Sequence, residues 1–281
     1  MKKKPGLFLL LSLILLCLLL PGFVSSLKIV RYEADAGGLP RPLRIALVTD
    51  LHACAYGREQ RKLLDAVEDQ APDLILLGGD IFDDRLPDEK AIVFLREIGG
   101  KYPCFYVTGN HEYWSGEAGF GEKMAALEAC GVRRLSGEAV TVDAGGRPVT
   151  VCGVDDPAAW GSRGFTEHRE GSFEEQLARA AAQAEEGRFT ILLTHRPEQL
   201  ELYAHLGFDL VLAGHAHGGQ WRIPGILNGL YAPDQGLFPA YAGGRYELDG
   251  TVMIVSRGLA RESTRVPRFY NRPELVMIEL K

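Results

Sequence analysis

Cysteine is sparse in this chain: five residues, at positions 17, 54, 104, 130 and 152. Their spacing gives neither a C-x-x-C metal pair nor the dense framework of a disulfide-stapled domain. Cys104 and Cys152 fall in apolar runs and read as buried thiols, while Cys54, two residues from His52, leaves a metal role open. A basic excess is also missing. The net charge of -6 argues against broad nucleic-acid affinity, although a local basic patch remains open. There is no internal repeat, and no low-complexity tract beyond the leader.

Charge is absent altogether between Pro5 and Leu27, directly after Lys2, Lys3 and Lys4. Within that stretch Leu7 to Leu20 is apolar on every side, which argues against an ordinary core helix. Its length approaches the roughly 20 residues that span a bilayer. Basic residues ahead of it favour a cytoplasmic N-terminus with the rest of the chain outside. Residues 1–27 are therefore expected to be an uncleaved membrane anchor. A cleaved signal peptide, giving a secreted form, shares the layout, and Val24 and Ser26 are small enough for a cleavage site.

What the chain does have is a series of short apolar runs, each followed by polar loop residues. With 281 residues, 46% of them hydrophobic, it can build a substantial core, and 28–281 is read as the folded domain. Arg44 to Thr49, Asp73 to Leu77, Cys104 to Val107, Phe189 to Leu193 and Asp209 to Ala213 are nearly continuous apolar runs. Such runs mark strands buried on both faces. Helices are expected between them: Gly57 to Gln70, one entered at Pro87, Glu117 to Cys130 closed by Gly131, Phe173 to Glu186 with a Ser172/Glu175 capping box, and Pro197 to Leu206. Further strands are expected at Val140 to Val142, Val149 to Val154 and Leu275 to Leu280. Asp249-Gly250 is a hairpin turn between Arg245–Leu248 and Thr251–Val255.

Five of these strands end in residues suited to metals. Asp50 and His52 follow the first, Asp80 the second, Asn110 and His111 the third, His195 a later one, and His215 and His217 the last. In sheets of parallel type, ligands bind beyond the carboxyl ends of the strands, so these loops would meet across one crevice. Five of the seven histidines occupy such positions; His168 and His205 lie in polar or helical context and read as surface residues.

In order along the chain, Asp50-x-His52, Gly79-Asp80-x-x-Asp83, Gly109-Asn110-His111-Glu112, His195 and Gly214-His215-x-His217 resemble the calcineurin-like metallophosphoesterase family. Ser256-Arg257-Gly258-Leu259 and Pro273-Glu274-Leu275 extend the likeness towards its membrane-associated bacterial phosphodiesterase branch. The resemblance implies an α/β fold, a four-layer α/β/β/α sandwich of two mixed sheets. It implies two divalent metal ions. Asp50, His52 and His217 would hold one, Asn110, His195 and His215 the other, and Asp80 would bridge them. Mixed imidazole and carboxylate donors suit manganese, iron or zinc better than calcium. A bridged pair about 3.5–4 Å apart would acidify a shared water, whose hydroxide attacks phosphorus in line. His111 would then protonate the leaving oxygen, steadied by Asp83. Asp84 reads as solvated, and Glu112 as part of the loop's own hydrogen bonding.

Other residues keep two readings. Tyr113, Trp114, Trp160 and Phe165 are pocket walls or ordinary packing; Arg196 and Arg257 are phosphate binders or surface arginines. The expected function is a membrane-tethered, extracytoplasmic phosphodiesterase acting on a phosphoester, with a lipid-linked or nucleotide-linked substrate in view. The alternatives are a secreted phosphatase or nucleotidase, and a metal-stabilised binding domain without turnover.

Overall fold

The computed structural model describes residues 12–13, 16–17, 19–161, 171–261 and 266–281. Among these, no helix is long and apolar enough to cross a membrane. Most of the run from 7 to 20 lies outside the described residues, as do Phe165 and His168.

In chain order the strands and helices are β1 (Lys28–Ala34), β2 (Leu43–Val48), α1 (Arg61–Glu68), β3 (Leu74–Gly78), α2 (Glu89–Gly99), β4 (Cys104–Val107), α3 (Asn110–Trp114), α4 (Gly116–Ala129) and β5 (Arg133–Arg134). There follow β6 (Glu138–Asp143), β7 (Pro148–Gly153), α5 (Phe173–Ala181), β8 (Thr190–Leu193), α6 (Leu200–His205) and β9 (Leu210–Ala213). The chain closes with β10 (Tyr231–Ala232), β11 (Gly236–Leu237), β12 (Gly244–Leu248), β13 (Thr251–Val255) and β14 (Glu274–Leu280).

Two six-stranded sheets carry the fold, in the orders β1-β14-β2-β3-β4-β5 and β12-β13-β9-β8-β7-β6. Both are mixed. β2 to β5 run parallel, with β14 antiparallel to β2; β7, β8, β9 and β13 run parallel, with β6 and β12 as antiparallel edges. The alternation within single strands explains the layering. Successive side chains of β2 point to opposite faces. Ile45 and Leu47 enter the core between the sheets, whereas Ala46 and Val48 enter the core beneath the helices. Leu63, Leu64 and Val67 of α1 and Phe94, Leu95 and Ile98 of α2 cover that outer face. On the second sheet, Phe173, Leu177 and Ala180 of α5 and Leu200 and Tyr203 of α6 do the same. The four-layer α/β/β/α arrangement read from the sequence is thus the observed one.

Two local expectations shift. α5 stops at Ala181 rather than Glu186, because its buried face ends at Ala180 and the next turn tightens to Gln183 N–Ala180 O and Ala184 N–Ala181 O bonds. Pro87 lies just outside α2, whose N-cap is Asp88. Ser172 caps α5 as expected, its hydroxyl accepting from Glu175 N at 3.2 Å. The Asp249-Gly250 turn is formed with both φ angles positive, 50° and 88°.

Candidate metal centre

The parallel strands of both sheets deliver their carboxyl ends to one edge of the sandwich. There the backbone is held tightly and against its ordinary preference. Asp50, His52, Asp80, His215 and His217 all have φ between 47° and 66°. For residues other than glycine this region costs of order 1–3 kcal/mol each and is tolerated where the surroundings over-determine it. Glycines make the close approaches possible. A Cβ on Gly79 (φ +85°) would lie 2.6 Å from His195 Nδ1, and one on Gly109 would collide with Asp80 Oδ1.

Two groups of donors result. The ligand atoms of Asp50, His52 and His217 lie within 4.8 Å of one another, and so do those of Asp80, His195 and His215. Asp80 joins the groups: its Oδ2 is 3.2 Å from His195 Nε2 and 3.6 Å from His52 Nε2. Its Oδ1 accepts from the His111 amide at 2.9 Å, which ties the third loop to the second. Asn110 is buried beside them at the start of α3.

Several outer ring nitrogens are fastened. His195 Nδ1 donates to Gly78 O at 2.7 Å, which turns its Nε2 towards Asp80 and His215 Nδ1, each 3.2 Å away. His215 Nε2 donates to Asp234 Oδ2 at 2.8 Å. His52 Nδ1 donates to Asp83 Oδ2 at 3.0 Å. Partners of this kind set tautomer and ring orientation in metal sites. The inward atoms are different: His52 Nε2, Asp80 Oδ2, Asn110 Oδ1 and His217 Nδ1 are buried without a hydrogen-bond partner. Buried polar atoms are nearly always satisfied, so four orphans from four loops at one place need an external partner. Divalent cations fit this oxygen and nitrogen donor set.

The electrostatics point the same way. Burial alone would lower His195, but the neighbouring Asp80 carboxylate outweighs it and pushes the imidazole up to about 10. Burial likewise opposes charge on His52, yet the bond to Asp83 and the charges of Asp80 and Asp50 hold it above the usual range. His217 and His215 go the other way, lowered first by burial and then by His52 and Arg196 respectively. Burial works against the Asp80 carboxylate, but its histidine neighbours, His195 foremost, hold it well below the normal range.

Glu112 is fully buried and accepts from three loop amides: Gly109 N at 2.7 Å, and Asp80 N and Phe82 N at 3.1 Å. Its loop-bracing role is as read from the sequence. Burial and the Asp80 charge push its carboxyl up to about 7.

Asp84, not Asp83, is the carboxylate bonded to His111. Asp83 was expected to steady His111, but its Oδ2 is bonded to His52 and lies 3.7 Å from His111 Nδ1, too far for a hydrogen bond. Asp84, read as solvated, accepts from His111 Nδ1 at 2.6 Å. The reason lies in the turn: Asp83 Oδ1 accepts from Arg85 N and Leu86 N, which pins its carboxylate inward and leaves the next side chain to meet His111.

Arg196 and Arg257 are neither free nor on the surface. Arg196 pairs with Asp156 and Asp234 beneath His215, and Arg257 Nη1 binds Glu274 Oε2 at 2.6 Å. Cys54 Sγ accepts from Arg261 N at 3.2 Å and belongs to neither donor group. Tyr113 is core, stacked on Phe120 with centroids 4.7 Å apart. Trp160 packs on Phe173, and His205 is exposed at the end of α6. Trp114 packs on His111, centroids 4.6 Å apart, and lines a cavity of about 790 Å³ with Asp84, Arg196, Glu198 and Asp234.

Sequence reasoning passed over Asp156 and Asp234. Asp156 had a signal, since it follows β7 at the same edge as the other strand ends. Asp234, in a Pro-Asp-Gln-Gly turn beyond the motifs, had none.

Comparisons with known proteins agree with this geometry. The calcineurin-like phosphoesterase profile matches residues 43–219. A metallophosphoesterase of Aquifex aeolicus is 28% identical over 264 residues, covering 91% of this chain and 92% of its own length. Phosphodiesterase YaeI of Escherichia coli is 27% identical, covering 85% of this chain and 82% of its own. A Campylobacter jejuni relative is 30% identical over 89% of this chain, which spans only 62% of that protein. Among solved structures, a 5'-nucleotidase precursor from Thermus thermophilus superposes with a TM-score of 0.54 at 16% identity, over 85% of this chain and 54% of its own. With donor set, fold and profile in accord, the chain belongs to the calcineurin-like phosphoesterases, hydrolases of phosphoric ester bonds.

Proposed function

We propose that this chain is a phosphodiesterase working with two divalent cations, tethered by its N-terminal segment with the catalytic domain outside the cytoplasm. The observation that carries the two-cation reading is the set of orphaned inward atoms around Asp80. Asp50, His52 and His217 hold one cation, Asn110, His195 and His215 the other, and Asp80 serves both. When bound, such a pair supplies Lewis acidity towards phosphoryl oxygens and a water of lowered pKa; manganese, iron and zinc all suit the donors.

The remaining steps belong to the chain's own side chains. His111 sits partly open at the rim of the site, its Nδ1 committed to Asp84. Nε2 is therefore the nitrogen left to hand a proton to the departing oxygen. With Nδ1–H given to Asp84, the acid form is the imidazolium, whose second proton sits on Nε2; Asp84 orients the ring, and Trp114 packs against it. The adjoining cavity of about 790 Å³ accommodates the second ester arm of a diester, with Trp114 as an apolar wall and Arg196 held in place at its base. A lipid-linked or nucleotide-linked diester is favoured by that volume together with the tether.

His111→Gln tests the assignment. Turnover of an alkyl phosphodiester should fall ~10²–10⁴-fold, the usual worth of a positioned proton donor. A 4-nitrophenyl ester, whose leaving group needs no proton, should lose far less, and bound metal should be unchanged. Equal losses on both esters, or loss of metal, would remove His111 from this role. A preference of the manganese-loaded full chain for monoesters would remove the diesterase reading.

A further inference from the structure

Among the described residues, every exposed large hydrophobic side chain except Trp114 and Leu206 falls in one of two segments, 13–24 or 221–266. The two segments touch. Gly22 sits so close to Phe269 that a Cβ there would collide with the ring, Phe23 meets the same ring edge-on at 5.1 Å, and Tyr270 N donates to Gly22 O at 2.6 Å. Phe269 in turn packs on Trp221, centroids 5.9 Å apart. From Trp221 the backbone forms two short hairpins joined to each other. Ile223 N donates to Leu227 O, β10 pairs with β11, Leu230 N donates to Trp221 O, and Phe238 N donates to Leu230 O. Six side chains on these hairpins are exposed: Trp221, Ile223, Ile226, Tyr231, Leu237 and Phe238, with Ile226 the most open at 84%.

Charge is nearly excluded from this region. Between Trp221 and Gly244 the only charged residues are Arg222, bonded to Asn228 of the same hairpin, and Asp234. The Asp234 carboxylate, 56% exposed, is bonded to His215 Nε2 and paired with Arg196. A soluble surface rarely gathers so many large apolar groups, and patches of this kind mark contacts with membranes or proteins. Trp and Tyr at their edges suit the bilayer interface.

We infer that the hairpins spanning 221–238 are a bilayer-seating surface, on which the domain rests beside the point where its uncharged N-terminal segment departs. The bilayer is chosen over a protein partner because the patch is continuous with that segment, uncharged from Pro5 to Leu27; in this the inference rests on the tethered reading above. The seat adjoins the site. The β10–β11 hairpin that presents Tyr231 and Leu237 outward also carries Asp234 to His215 and into the cavity wall. A lipid-borne phosphodiester would thus meet the cavity at headgroup level.

The test uses the full chain reconstituted into phosphatidylethanolamine–phosphatidylglycerol vesicles, with plain or brominated acyl chains, and compares tryptophan emission with W221F. The Trp221 component should lose roughly half or more of its intensity to bromine, as for a ring lying about 5–10 Å into the interface. An equal Trp221 component in both vesicle types, with the chain floating alongside them, overturns the inference. So does a Trp221 blue shift that follows protein concentration without lipid, which would assign the patch to a second copy of the chain. Turnover of soluble bis(4-nitrophenyl) phosphate by the same vesicles separates the two claims. Activity without quenching sinks the seat alone; quenching without activity keeps the seat and sinks the diesterase reading.

Discussion

His195 and His215 are each fastened through the ring nitrogen that faces away from their donor group, one to the carbonyl of Gly78 and the other to Asp234. Across Asp80, His52 is fastened to Asp83, but His217 is held at neither ring nitrogen: its inward Nδ1 has no hydrogen-bond partner, and its Nε2 lies 3.8 Å from Asp50 Oδ1, too far for one. One half of the site is fixed on both imidazoles and the other on one. Fixed rings give up less freedom when a cation arrives, so the two positions should differ in affinity although their donors are similar. The fasteners also differ in origin. Gly78 belongs to a core strand of the opposite sheet, whereas Asp234 stands on an exposed hairpin.

The strongest way to break the comparison is to remove what the halves share. Asp80→Asn should lower turnover by more than the ~10²–10⁴-fold lost with a proton donor, because both cation positions suffer together. Elemental analysis should find fewer than two metals per chain. Full retention of both would show that Asp80 is not the link.

Asp83→Asn and Asp234→Asn sharpen the comparison by loosening one half each. Either should weaken its own cation by about 10–100-fold, the customary cost of losing such a partner. In the unaltered chain a graded chelator should remove the cation of the His52–His217 half first. Simultaneous release, or a reversed order, would show that ring fastening does not govern affinity here.

The smallest effect concerns protons. Each half contains one imidazole raised by neighbouring carboxylates, namely His195 by Asp80, pushed up to about 10, and His52 by Asp83 and then Asp80, and one lowered by burial. At neutral pH the metal-stripped chain keeps a proton on His195, and only the neutral ring can ligate. Metal uptake should therefore release protons. Affinity should rise with pH, by up to about one decade per unit for each proton displaced, and His195's share should level off near 10. Calorimetry in buffers of different ionisation enthalpy measures the release; none at pH 7 to 8 would contradict the raised imidazoles.

Much of this was legible along the chain because the cues are local. A strand buried on both faces announces itself as an apolar run, and the residue after it is delivered to the sheet edge. Asp50, Asp80, His195 and His215 were readable in that way. Pairings between loops were not. Asp83 and Asp84 are adjacent and chemically identical, and only the turn bonds to Arg85 N and Leu86 N decide which one reaches His52. Asp234 comes from a hairpin whose path depends on Trp221, Leu230 and Phe238, so no spacing rule links it to His215. Helix-forming composition continues beyond the last apolar contact at Ala180, so composition alone overshoots the end of α5.

β14 lies between β1 and β2, pairing Val276 with Leu47 and Val276 with Val30. Until that strand is available, β1 has no neighbour and β2 shows an open, apolar edge of the kind that recruits other chains. Sheet closure then waits on residues more than about 200 positions apart, the sort of long-range pairing that folds slowly. During synthesis the growing polypeptide keeps that edge open, and it is vulnerable to aggregation until β14 arrives.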